Sequence, residues 1–367
     1  MLLLPLLKKE VHWSKRHVVV LAFLLVLLPG ALGIATVGLQ ETVPEDVPVA
    51  LVAQNDSVSE DDMGQARSGL GLYADPQEVS DRETAMEMLE REEVYIVVEV
   101  PPGVLDEDRE QVQFNFTFHG AIAPLHQAET ELVDLTEQRI GDTRQTVTGD
   151  RNVVVTTQIE GEKKGLGEFL YPALILLLLV FFAFTYIPHE LRRDSSVFDR
   201  LRTETSLESI ITSKLLYLTP LMVLPVLSFH AVALLPQVDY NVGTFDPVSL
   251  LASTALLLVT FLALATVAAT IMVLSRFSAA GQTTNLLALL GVVGVSAMVF
   301  PRGAVSSLRA TIAAFMPTHY AAVAVRSFML KDVSVTTYLD MIGAVVLLLV
   351  VGALALKGSI VYYRRTI

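Results

Sequence analysis

The 367-residue sequence contains no cysteine. That absence excludes a disulfide framework and any thiolate metal or redox site. Charge is also scarce, at 18% of residues against about 25% in soluble domains. The shortfall lies in long stretches without a single charge, while 52% of residues are hydrophobic and mean hydropathy is +0.54. Disordered, collagen-like and disulfide-rich secreted chains are excluded together, which leaves an integral membrane protein. The chain has no G-x-x-x-x-G-K-[ST] phosphate loop. His189-Glu190 begins like the zinc motif H-E-x-x-H, but Arg193 stands where the second histidine is needed. No two acids or histidines share a membrane-buried face, so no catalytic residue, metal site or cofactor is assigned to this chain.

The charge that is present is unevenly placed. Residues 40–168 hold 29 acids against 9 bases, a net of −20, and the remainder carries +7. An acidic block set into a mildly basic, apolar chain points to two solvents acting on one polypeptide. The block would repel phosphate, so nucleic acid is not a partner. Arg outnumbers Lys 18 to 8, and the acidic excess fits a halophilic prokaryotic source.

Residues 18–39 run without charge for 22 positions, enough to cross about 30 Å of hydrocarbon and longer than the apolar core of a secretory signal. Further spans are expected at 169–187, 215–235, 248–274, 281–300 and 341–363, six in all and in contact with membrane lipid. Lys8, Lys9, Lys15, Arg16, Arg192, Arg193, Arg200, Arg202, Lys214, Arg276, Arg364 and Arg365 then all fall on one side. The positive-inside rule makes that side the cytoplasm and places both termini there, with the acidic block outside. Arg302, Arg309, Arg326 and Lys331 are exceptions in the last external segment. The expected fold is a six-helix α transmembrane bundle with an inserted extracellular α/β or α+β domain. Its parts are a cytoplasmic segment 1–17, span 18–39, the domain 40–168, a transmembrane domain 169–363 and a tail 364–367.

Within the acidic block, β-branched and alternating patterns predict strands over 47–52, 94–100, 111–118 and 153–159, and apolar spacing predicts helices over 81–91 and 125–140. His119, His126 and Glu129 are better explained as exposed polar residues near a turn than as a metal site. Asn55-Asp56-Ser57 and Asn115-Phe116-Thr117 fit the glycosylation sequon.

The most informative stretch is 189–214, HELRRDSSVFDRLRTETSLESIITSK. Ser195 or Ser196 can cap a short helix in which Val197, Phe198 and Leu201 form an apolar edge. Asp199 and Arg200 surround that edge with charge of both signs. Such a helix either lies on the lipid surface or docks into a groove of a cytoplasmic partner. Inside the spans, His230 is the one titratable His, Lys or acid, placed to face a path or to snorkel. Thr254, Thr260, Thr266 and Thr270 read as packing residues, and Gly291, Gly294 and Ser296 as a close helix contact. In 303–338, Val305, Leu308, Ile312 and Phe315 share an apolar face before Pro317, as a re-entrant or an interfacial helix would.

These features together resemble the membrane subunits of type-2 ABC export systems, the ABC-2 permease family. In that family the second span is followed by a Gly-Thr-Leu-Glu-x-Leu-like helix, and a Gly-Lys pair opens the third span. Here Ser196-Val197-Phe198-Asp199-Arg200-Leu201 and Ser213-Lys214 stand in those places, with serines for both glycines. Met316-Pro317-Thr318-His319-Tyr320 is similar to the family's Leu-Pro-x-x-Tyr segment, and the block with VPVALV and EEVYIVVEVPPGV resembles the ectodomain of the sodium-efflux-type (NatB-like) branch. The resemblance implies a permease subunit without catalytic chemistry. It would be paired with a soluble ABC ATP-binding subunit and with a second permease subunit, as homodimer or heterodimer. It also implies an ATPase-coupling helix, at about 190–213, carried by Ser196, Val197, Phe198, Asp199, Arg200, Leu201 and Lys214. His230, Arg309, Pro317 and Tyr320 are its candidate path or gate residues. The alternative is a non-transporting receptor or immunity protein whose ectodomain binds a ligand.

Overall fold

The structure is a computed structural model that describes residues 8, 47–71, 74–104, 106, 111–122, parts of 133–145, 152–196, 198, 205–233, 247–296, 298–299, 311–331 and 333–366. The expected first span at 18–39 lies outside these residues. The chain divides into a sheet unit that ends at Phe169 and a helical unit that takes up at Leu170.

The sheet unit is α/β. Its elements are β1 (Val47–Ala53), α1 (Glu60–Leu70), β2 (Ala74–Glu78), α2 (Arg82–Glu90), β3 (Ile96–Val100), β4 (Val112–His119) and β5 (Val153–Glu160). The strand order is β2-β1-β3-β4-β5. β1 runs parallel to β2 and β3, β4 is antiparallel to β3, and β5 is parallel to β4. β1 reads as a continuous apolar run because it is flanked by strands on both sides, and Val49 to Val52 are all buried. α2 begins at Asp81, whose carboxylate accepts the Thr84 N–H, and it lays Ala85 and Leu89 on Ala50, Val52 and Val97. Between β4 and β5 the described residues of 133–145 are helical, with Thr136 and Ile140 buried. The rest of the helix expected over 125–140 lies outside the described residues.

α1 and β2 carry no sequence signal of the kind used above. α1 (EDDMGQARSGL) buries only Asp62, Ala66 and Leu70, one residue per turn, and one of those is an acid. β2 (ADPQE) is a polar edge strand held by its register with β1 rather than by burial.

In the helical unit, α3 (Leu166–Phe181) runs through a π turn (Phe182–Tyr186) into α4 (Ile187–Ser195) as one continuous rod. Its 30 residues extend about 45 Å, longer than a bilayer core is thick. The π turn has a local cause. Pro188 has no N–H to give Phe184 and its ring would strike that carbonyl, so the preceding turn widens and Ile187 N–H reaches Phe182 O. α5 (Leu207–Leu221) and α6 (Val223–Ala233) are divided at Met222, four residues after Leu218 and just before Pro225, which cannot donate to Leu221. α7 (Pro247–Leu274) and α8 (Ala279–Val295) follow. α9 (Pro317–Leu330) comes next, then a 3-10 turn (Val335–Tyr338) and α10 (Leu339–Arg365).

Among the described residues four helices are long and apolar enough to cross a membrane: Leu166–Ser195, Leu207–Val232, Pro247–Leu274 and Val335–Arg365. The span expected at 281–300 is instead the 17-residue helix α8, stopped at Val295 with Ser296 as its C-cap. α7 is the hub, packed against α10, α9, α4, α8 and α5. It meets α10 closely at Gly352, where a Cβ would fall 2.3 Å from Thr266 Oγ1. α9 is buried without interruption from Ala321 to Leu330, so it is an internal helix and not one lying at an interface. The apolar face expected before it does not bury in kind: Phe315 is 82% exposed, and Val305 and Leu308 lie outside the described residues.

Candidate functional site: the charged end of the helical unit

α4 turns Ile187, Glu190, Leu191 and Asp194 inward, a stripe at helical spacing in which two of four residues are acids. α5 turns Ile210, Ile211, Ser213, Lys214 and Leu218 inward. The two faces meet at charge. Lys214 Nζ lies 3.2 Å from Glu190 Oε2 and 3.1 Å from Asp194 Oδ2. Arg193 NH2 donates to Glu190 Oε2 at 2.6 Å and lies 3.6 Å from Asp194 Oδ1. The Lys214, Glu190 and Asp194 side chains are 2, 3 and 7% exposed. Two cations and two anions leave no net charge, the condition under which burying Lys214, Glu190 and Asp194 is tolerable, with Arg193 half-buried at the rim. Glu190 Oε1 is buried with no hydrogen-bond partner among the described residues.

Beside the cluster stands a row of three rings. Phe198 is 2% exposed and meets Phe277 edge-on at 4.7 Å between centroids, and Phe277 meets Tyr363 in the same way at 5.7 Å. Phe277 belongs to the tight turn between α7 and α8, where both Arg276 and Phe277 take left-handed backbone, φ 54° and 57°. For residues with a Cβ that conformation costs about 1–2 kcal/mol each, and burial of the Phe277 ring between two others offsets it. Gly281 makes the turn possible, because a Cβ there would meet Ser275 Oγ at 1.9 Å. Arg192 donates to Gln282 and Arg364 reaches Glu208 at 3.3 Å, so exposed polar pairs cross the same end of the unit. α4 is thus tied to α5 by charge, and Phe198 beyond it is tied to the α7–α8 turn by aromatic packing that Phe277 extends to α10.

Several expectations change in this light. Ser195 is the last residue of α4 and Ser196 its C-cap, their hydroxyls donating to the Arg192 and Arg193 carbonyls, and Phe198 beyond them is itself helical. The ring of Phe198, expected as a knob for a partner's pocket, is taken up by Phe277 of its own chain. Lys214 opens nothing either; it neutralises α4. Val197, Asp199, Arg200, Leu201 and Arg309 lie outside the described residues.

Of the path residues, His230 Nδ1 lies 3.0 Å from the Tyr171 hydroxyl, and its Nε2 is buried without a partner among the described residues. Pro317 is the first residue of α9, where its missing N–H costs nothing, and the Tyr320 hydroxyl donates to the Ala314 carbonyl. Thr260, Thr266 and Thr270 donate to carbonyls of their own helix, as packing residues do. Among the described residues nothing lies within 4 Å of a Cβ placed at Gly291 or Gly294. His119 is buried, its Nδ1 accepting the Ala121 N–H at a turn, and His126 and Glu129 lie outside the described residues.

Sequence reasoning missed Glu190, Asp194 and Phe277. The spacing of Glu190 and Asp194 at i, i+4 on the stripe of Ile187 and Leu191 was the available signal. Asn285 was missed as well; it donates across from α8 to the Ala268 carbonyl of α7.

No curated protein and no solved structure matches the chain. The family model described as ABC-2 family transporter protein does match, over residues 17–357. With almost the whole chain inside that match, and with apolar helices of spanning length across it, this protein belongs to the ABC-2 transporter family of membrane permeases.

Proposed function

We propose that the chain is the membrane-spanning permease subunit of an ATP-driven exporter. In this reading a separate ATP-binding subunit hydrolyses ATP and presses on the segment between α4 and α5. Two permease subunits then rock to alternate the exposure of a path between them. The acidic sheet unit lies outside the membrane, and the charged end of the helical unit faces the cytoplasm.

The observation that carries the reading is the double tie at Phe198 and Lys214. A segment meant only to rest on lipid has no need of a buried ion cluster on one side and a three-ring stack on the other. The ion cluster joins α4 and α5, the helices that flank the loop, and the ring stack joins Phe198 of the loop to the α7–α8 turn and through Phe277 to α10, so a displacement of the loop bears on both ties. Phe198 is the inward anchor, and contact with the ATP-binding subunit falls to Val197, Asp199, Arg200 and Leu201. Charged rim residues of that kind set register and partner choice.

The test is purification of tagged protein from its native membranes in mild detergent, as wild type and as Asp199→Lys with Arg200→Glu. Recovery of a nucleotide-binding ATPase with the wild type, lost in the double variant while the permease stays folded, is the expected result. A folded wild-type permease that recovers no ATPase overturns the reading.

A further inference from the structure

The sheet ends in two unlike edges. β2 carries Asp75, Pro76 and Glu78 among its five residues, a proline and two charges that discourage any further strand. β5, at the opposite edge, follows Asn152 with VVVTTQI before its one charge at Glu160. Residues 152–159 are uncharged in a block whose net charge is −20. Val154 and Ile159 are exposed, and so are Thr157, Gln158 and Glu160.

The backbone of β5 shows which groups point outward. Asn152 and Glu160 give their carbonyls to Val112 and Gly120 on the β4 side. By the alternation of a parallel ladder, the even-numbered residues face β4 and Val153, Val155, Thr157 and Ile159 face away. Val155 N–H is held by Glu137 Oε1 at 3.0 Å. Thr157 and Ile159 remain, with no outward partner among the described residues.

We propose that this edge pairs with the same edge of a second copy of the chain, antiparallel about Gln158. In that register Thr157 and Ile159 of one copy bond Ile159 and Thr157 of the other, which makes about four main-chain hydrogen bonds and leaves Glu137 its hold on Val155. Gln158 stands opposite Gln158, and each Glu160 stands opposite an uncharged Thr156. In this register no like charges stand across the strand. A second copy is favoured over a soluble partner by tethering as well. Five residues, about 17 Å of chain at most, separate β5 from α3, so two permeases side by side in one membrane confine their β5 strands to the same small volume.

The proposal rests on the reading that two permease subunits pair. Because the chain has no cysteine, a single introduced one reports without background. Gln158→Cys places two thiols in a non-hydrogen-bonded antiparallel pair with Cα atoms about 4.5 Å apart, inside disulfide range. Oxidation of native membranes should shift Gln158→Cys to a covalent dimer, while Gln77→Cys on the β2 edge stays monomeric. Adding Thr157→Pro, which removes only an outward N–H, should abolish the cross-link without unfolding the sheet. Native mass spectrometry of the uncross-linked protein gives the number of copies. Two copies with no Gln158→Cys cross-link, or a cross-link that survives Thr157→Pro, overturns the strand pairing and leaves the paired permease standing. A single copy overturns both.

Discussion

Each unit of this protein buries carboxylates, and the two solve the problem differently. In the sheet unit, Asp62 is held by neutral donors: Ser59 N–H at 3.0 Å, Ser59 hydroxyl at 2.8 Å, Gly103 N–H at 3.1 Å and Val104 N–H at 2.7 Å. Burial pushes the Asp62 carboxyl upward, but these hydrogen bonds outweigh it and hold the group below the usual carboxylate range. In the helical unit, Glu190 and Asp194 are held by Lys214 and Arg193. The difference follows from where free N–H groups exist. Loops and helix starts offer them, whereas in a packed helical bundle every interior N–H is spent on its own helix. A buried acid there must find a side chain, and a long basic one reaches furthest. An amide cradle fixes one loop to one helix start. A lysine between two acids ties separate helices and can exchange partners when they move.

The strongest way to break this comparison is Lys214→Met. It leaves two buried acids sharing Arg193 alone, a change that costs about 3–5 kcal/mol. Thermal unfolding in detergent should show a large fall in midpoint. Pairing the substitution with Glu190→Gln and Asp194→Asn should recover a substantial part, because the acids no longer need a cation. Equal losses in the single and triple variants would mean that the cluster is not coupled.

Phe198→Ala comes next, at about 3 kcal/mol for an emptied aromatic site. Hydrogen exchange should rise at the α7–α8 turn, since Arg276 and Phe277 keep left-handed backbone only while the ring stack holds. Unchanged exchange there would separate Phe198 from the turn.

Asp62→Asn is smaller, about 2 kcal/mol, because one amide oxygen can still accept some of the donors. Its effect should be confined to exchange at 59–70 and 101–104. Asp62's folded pKa is depressed, so its contribution is present above the ordinary carboxylate range and disappears as pH falls through that lower value. The variant and wild type should therefore converge in strong acid.

How much of this was legible in the sequence follows from what each element buries. Strands β1, β4 and β5 announce themselves by apolar patterning, and α2 by its cap and spacing. α1 and β2 do not, because α1 is fixed by a capping box and an Asp62 contact 41 residues away in sequence at Gly103, and β2 by backbone pairing alone. Four of the six expected spans coincide with apolar helices of spanning length, but the end of α8 was not readable from composition. Its apolar run continues past Val295, and only the turn at Ser296 ends it. At the site, Phe198 was singled out for its apolar edge and Lys214 as part of a Ser-Lys pair, and in the fold Phe198 packs on Phe277 while Lys214 meets Glu190 and Asp194. An apolar edge on a short helix looks the same whether it faces a partner or its own chain, and the contacting residue, Phe277, lies 79 positions away across three helices.

The smallest effect sharpens the comparison most finely. Ser59 and Ser206 are both N-caps, each accepting an N–H in the first turn, from Asp62 at 3.1 Å and from Ser209 at 3.2 Å. Replacing either by alanine should cost about 1 kcal/mol at neutral pH. Only Ser59 also donates to a buried carboxylate. Ser59→Ala removes one of the donors that hold Asp62 ionised, so the folded pKa rises toward its ordinary value and the acid-dependent part of stability shrinks. Among the described residues the Ser206 hydroxyl bonds only the Ser209 hydroxyl and N–H, so Ser206→Ala should shift the exchange of α5 equally at all pH values. Exchange of α1 and α5 across the acid range in both variants checks this. A pH-dependent loss at Ser206, or a pH-independent one at Ser59, would mean that the Asp62 carboxylate is not held by its amide cradle in the way described.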